Sequence, residues 1–133
     1  MDILKEVLKF IPDQSVISQT SFEGANIILY TKSKEFFLNA NGVLKEIVNS
    51  IKKRVELRPD PSLCEDMEKA KEAIEELMPK EAGHSHILFD PQRSIVIIEA
   101  EKPGLAIGKQ GEILKEIKKK TFWVPEVRRH PAI

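Results

Sequence analysis

Cysteine is nearly missing from this sequence: Cys64 stands alone among 133 residues. A lone thiol closes no internal disulfide, and without a second cysteine at ligand spacing it founds no zinc finger or ribbon. A small, partly buried residue is its expected role. Long apolar runs are missing too. No stretch approaches the ~18 residues that a membrane span requires, and the opening "MDILKEVLKF" mixes acid and base where a signal peptide would carry an unbroken apolar core. A cytoplasmic protein with no membrane partner is expected. Aromatic residues make up only 6% of the chain and fall mostly where core or element boundaries are expected, which disfavours a mechanism built on bases stacked over exposed rings. Trp123, at a helix-to-strand junction, is expected to pack in the core or between domains rather than to offer a nucleobase platform.

Catalytic sets are absent as well: there is no P-loop, no Ser-His-Asp set and no defensible carboxylate pair. One fragment, "GHSHILFD", places His84 and His86 on a strand, where alternation would put both on one face. The residues after His86 do not continue a metallo-hydrolase motif, no carboxylate stands at workable spacing, and His130 lies isolated near the end. Neither a metal site nor a catalytic residue is expected in the chain.

What is present is segregated charge. The net charge is zero, yet residues 60–83 carry eight acids against three bases, and residues 102–133 carry eight bases against three acids. Such a chain can attract a polyanion on one side only. It also repeats itself. "FIPDQSVISQTSFEGANIILYTK" (residues 10–32) lies over "LMPKEAGHSHILFDPQRSIVIIE" (residues 77–99), "LKEI" at Leu44 recurs at Leu114, and "LRPDP" answers "VRRHP" near the end of each copy. Two copies of one small unit, 1–61 and 62–133, are the simplest account, and units this small are expected to lean on each other.

Each copy opens with a helix. Ile3, Leu4, Val7, Leu8 and Ile11 recur at helical spacing until Pro12. In the second copy Met67, Ala70, Ile74 and Leu77 form the stripe, Ser62 with Glu65 suggests a capping box, and Pro79 ends the run. Two strands follow, 15–23 with 26–32 and 84–90 with 94–101, joined by the short polar turns "EGAN" and "DPQR". Then come a short segment, a glycine-bearing turn, an amphipathic helix (43–53; 112–120) and a last strand (55–58; 124–128). The expected fold is α+β, with the order α-β-β-α-α-β occurring twice and a three-stranded sheet packed by helices in each copy.

The glycine-bearing turn of the second copy is "AIGKQGEILKEI", residues 106–117. A helix start exposes unpaired N–H groups and the positive end of the dipole, which attract anions. Glycines let another backbone approach without a Cβ in the way, and Lys109 and Lys115 stand beside them. This segment resembles the I-G-x-x-G-x-x-I/L pattern of the KH family, within the element order of its type II variant. The resemblance implies that Gly108, Lys109, Gln110 and Gly111 clamp the backbone of single-stranded RNA along an apolar groove. Ile107 and Leu114 would belong to the groove floor, and Lys109, Lys115 and Arg128 would contact phosphates. The first copy reads "NANG", residues 39–42, with asparagine for the first glycine and no lysine between. Asn39 could still take a left-handed conformation, but a structural partner that widens the basic surface with Lys45, Lys52, Lys53 and Arg54 is the expectation there.

Over essentially its whole length the chain is similar to the N-terminal part of the archaeal β-CASP ribonucleases, homologues of the nuclease subunit of the eukaryotic cleavage and polyadenylation specificity factor. The segments "VELRPDP" and "EAEKPGLAIGKQGEILKEIKKKTFWVPEVRRHP" carry that likeness. It implies an RNA-recognition role in mRNA 3′-end processing and transcription termination, a U-rich preference, and a nuclease domain as partner. That domain's zinc would be absent here, so the chain itself needs no cofactor. The ending "RRHPAI" reads as a cut, so a monomeric fragment or a stand-alone relative is expected. The rival reading is a scaffold module of the same fold that docks a nuclease domain or second subunit, with the acidic helix 65–80 as its docking face. A small enzyme with an unrecognised metal site is a third.

Overall fold

The computed structural model describes residues 2–130, apart from the side chains of His84 and Ser85. The outer ends of the expected units, Met1 and residues 131–133, therefore lie outside the described residues. The chain divides into two compact units, Met1–Leu63 and Cys64–Ile133.

In the first unit, helix α1 (Ile3–Leu8) leads into strands β1 (Ile17–Glu23) and β2 (Asn26–Thr31), helices α2 (Lys34–Asn39) and α3 (Asn41–Ile51), and strand β3 (Val55–Pro59). The Asp2 side chain accepts from the Leu4 N–H at 3.0 Å and so starts α1. Gly24, at φ 60°, makes the tight turn of the β1–β2 hairpin. The sheet order is β1-β2-β3, antiparallel then parallel, with α2 and α3 forming the crossover. Val7, Ile11, Ile27, Leu29, Ala40, Ile47 and Leu57 form the core under the helices.

The second unit repeats the plan: α4 (Met67–Leu77), β4 (His84–Asp90), β5 (Ile95–Ala100), α5 (Pro103–Ile107), α6 (Glu112–Thr121) and β6 (Val124–Arg129), with sheet order β4-β5-β6. Its core gathers Ala70, Ile74, Met78, Val96, Ile98, Ala100, Ala106, Ile117 and Trp123. The α-β-β-α-α-β order expected from the sequence is thus observed twice, in an α+β fold with two three-stranded sheets.

Several local expectations are corrected. Ser62 does not cap α4: it sits in a 3-10 turn and its hydroxyl donates to Asp60, while Asp66 accepts from the Lys69 N–H and caps the helix. Asn39 is no left-handed residue but the last residue of α2. Met67 is not a core residue, being 47% exposed. Trp123, in contrast, is core at 3% exposure. Its indole N–H donates to the Glu65 carbonyl at 2.8 Å and Phe89 meets it edge-on with centroids 4.8 Å apart, so it offers no platform for a base.

The two sheets differ on the face turned from their helices. In the first unit Arg58, 2% exposed, grips Glu23 with both terminal nitrogens and reaches Glu56 at 3.0 Å and the Tyr30 hydroxyl at 3.2 Å. Burial works against the guanidinium charge, but Glu23, Tyr30 and Glu56 outweigh it and raise its pKa further. The residue in its place on β6 is Arg128, exposed and, among the described residues, paired laterally with Glu126 at 3.1 Å.

Candidate nucleic-acid interface

In the second unit α5 stops at Ile107 and α6 starts at Glu112, and the four residues between them make a raised turn. Gly108 takes φ 81°, ψ 173°, a region open almost only to glycine, Gln110 takes φ 53° and Gly111 φ 73°. Backbone bonds close the turn: the Gly108 N–H donates to Gly104 O at 3.1 Å, the Gly111 N–H to Gly108 O at 3.2 Å and the Glu112 N–H to Lys109 O. The two glycines have different reasons for being bare. A Cβ on Gly108 would come within 2.9 Å of Ile113 Cγ1, so this glycine lets the turn fold onto α6. A Cβ on Gly111 would meet nothing within 4 Å, so this glycine leaves open space.

Helix α6 begins without a side-chain cap, unlike α1, α2 and α4, which use Asp2, Ser33 and Asp66. Its start, with the positive end of the dipole, adjoins a shallow pocket of about 410 Å³ lined by Lys109, Gln110, Glu112 and Lys115. Two ammonium groups against one carboxylate leave the pocket positive. Ile113, Leu114 and Ile117 turn the other side of α6 to the core, which fixes Lys115 outward.

The structure therefore gathers most of the residues singled out from the sequence. Gly108, Lys109, Gln110 and Gly111 form the turn, Lys115 lies one turn of helix away, and Ile107 and Leu114 are half-buried at its base. Arg128 is not among them. Val127 packs on the helix side of the sheet and alternation turns Arg128 to the opposite face, in register with Glu99. The sheet stands between it and the turn. Its sequence signal was charge alone, and charge carries no information about faces.

At the same place in the first unit, α2 and α3 are separated by the single residue Ala40, buried at φ −89°, and Gly42 lies inside α3. No residue from 39 to 42 has positive φ. Lys45, Lys52, Lys53 and Arg54 are exposed around α3 and its end.

Comparison with known proteins follows the same division. The family model described as "Transcription termination factor FttA, KH domain" matches residues 1–64, and the one described as "KH domain" matches residues 69–122. Proteins named transcription termination factor FttA are similar over 99% of the chain: 41% identical in Thermococcus kodakarensis, 39% in Pyrococcus horikoshii and 40% in Methanocaldococcus jannaschii. The chain spans 21%, 20% and 20% of these relatives, about one fifth of their length.

Proposed function

The chain is a tandem of two KH-type domains, and we propose that it binds single-stranded RNA through residues 108–111 of the second, as the RNA-reading part of a larger protein that ends transcription. One observation carries the reading. The first unit joins the same two helices through Ala40 alone, so the fold does not require a raised turn with three left-handed residues. A turn that holds Gln110 and two glycines at positive φ, beyond what the shared fold needs to join these helices, is best accounted for by a ligand.

The chemistry then follows from the geometry. An RNA backbone passing over the turn meets no Cβ at Gly111 and comes to the uncapped, positive dipole end of α6. Lys109 and Lys115 neutralise phosphates from either side, releasing counterions, so affinity falls as salt rises. Ile107 and Leu114 give the bases an apolar edge. KH domains hold about four nucleotides in this way. Arg128, behind the sheet, takes no part.

The name of the relatives supports the setting of termination, and their length leaves room for a catalytic part. The proposed partner is a zinc-dependent β-CASP nuclease domain of the same polypeptide, acting in the cytoplasm on transcript 3′ ends. This chain supplies RNA recognition, with a U-rich preference, and no catalysis.

The test is binding of a labelled single-stranded RNA at two salt concentrations by the wild type and by Lys109→Asp with Gln110→Asp. Aspartate tolerates the left-handed conformation at 110 and both glycines remain. Salt-sensitive binding that the double variant loses while staying folded supports the clamp. Equal binding by the two proteins sinks it, and the exposed acidic side of α4, with Glu68, Glu72 and Glu76, becomes the surface to examine for a protein partner.

A further inference from the structure

The sequence offers His84 and His86 no carboxylate at useful spacing, but strand pairing supplies one. β4 pairs with β5 so that His86 lies opposite Glu99, just past a register shift between His84 and His86. The side chain of His84 lies outside the described residues. Beyond β6 the chain continues to His130, whose backbone N–H donates to Ala100 O at 2.8 Å. Because Val96, Ile98 and Ala100 point into the core, Glu99 stands on the face turned from the helices. His86 Nδ1 lies 3.1 Å from Glu99 Oε1. The His86 and His130 rings lie 6.1 Å apart at 33°, and one ligand atom from each of the three residues falls within 4.8 Å of the others.

We infer that His86, Glu99 and His130 form a binding site for a divalent late transition-metal ion, zinc being the ion the donors suit. Two imidazole nitrogens with one carboxylate oxygen are a zinc-type set, whereas magnesium and calcium take oxygen ligands. Tetrahedral zinc with bonds of about 2.0–2.2 Å holds its ligands about 3.3 Å apart. The His86–Glu99 separation is already of that size, and His86, 59% exposed, has room to turn toward His130. Each ligand belongs to a different strand or strand end, so the ion ties both edges of the sheet to its centre. A fourth position stays open for water or an outside ligand. A simple His86–Glu99 ion pair would not involve His130, and this separates the two accounts.

The experiment is calorimetric titration of tag-free chain with zinc and, as a hard-cation control, magnesium, with thermal melting as a second readout. One zinc per chain, no heat from magnesium and a melting transition raised by zinc are expected. His86→Ala and His130→Ala should each abolish the saturable heat and the melting shift, Glu99→Gln should weaken both, and Cys64→Ser should leave both unchanged. Circular dichroism confirms that each variant is folded. A wild type without saturable zinc binding overturns the inference. So does binding that persists unchanged in the two histidine variants, or binding that the Cys64→Ser variant loses.

Discussion

The two units share an element order and a sheet topology, each around its own core, yet they join their inner helices differently. The first uses one buried alanine with φ −89°; the second uses four residues, three of them left-handed. The sheet faces turned from the helices differ in the opposite sense. Arg58 is locked among two carboxylates and a phenol, whereas Arg128 is exposed with a lateral glutamate. Each copy has specialised one side of a common scaffold, the first in a buried ionic cluster and the second in an exposed turn. A repeat thus serves as its own control: what both copies share belongs to the fold, and what one alone carries needs another cause.

The contrast can be broken most forcibly at the arginines. Arg58→Ala removes the buried cation that Glu23, Glu56 and the Tyr30 hydroxyl all contact and should destabilise the chain by about 3 kcal/mol in chemical denaturation. Arg128→Ala should change stability by less than about 0.5 kcal/mol. Similar losses from both would mean that the exposed arginine has a structural role the geometry does not reveal.

The glycines come next. Gly108→Ala forces a Cβ against Ile113 at a glycine-only φ/ψ and should cost about 2 kcal/mol. Gly42→Ala, inside α3 with no neighbour within 4 Å of the new Cβ, should stabilise by about 0.5–1 kcal/mol. Opposite signs at matched motifs, read from denaturation midpoints, would establish that only one turn is special.

A smaller effect separates the two cations once assigned to phosphates. Lys115→Ala should lower the slope of log affinity against log salt by about 0.7, the share of one phosphate contact on a single strand. Arg128→Ala should leave that slope unchanged, and a matching drop would put RNA on the far side of the sheet.

The smallest effect concerns acid. Burial alone would raise the Asp60 carboxyl, but the Ser62 hydroxyl and N–H, the Ser18 hydroxyl and the Lys32 charge outweigh it and hold its pKa below the usual carboxylate value. A depressed carboxylate contributes stability above its unfolded pKa and loses it as pH falls through the folded one. Asp60→Asn should therefore narrow the difference in stability between pH 6 and pH 3, measured by denaturation at about those two values. No change would mean that those hydrogen bonds do not persist in solution.

Element order was legible in the sequence because it rests on local signals: apolar periodicity, prolines after α1 and α4, and polar turns between strands. The candidate turn was legible for the same reason, since Gly108, Lys109, Gln110 and Gly111 are consecutive. Faces were not legible. Which way Arg128 points, and whether His86, Glu99 and His130 meet, depends on pairing between distant strands and on a register shift that no spacing rule captures. The cap of α4 was misplaced because Ser62 and Asp66 are both good caps, and the 3-10 turn that takes up Ser62 is made with Asp60.

The position of the turn within the connectivity also has a kinetic consequence. Hairpin β4–β5 joins near neighbours such as Asp90 and Ile95, whereas β5 and β6 bring Ile95 to Val124 across the whole α5–α6 crossover. Closing the long segment costs more chain entropy and is expected after the hairpin. The turn at 108–111 sits inside that late segment, so changes to it should register mainly as faster unfolding, with the folding rate almost untouched.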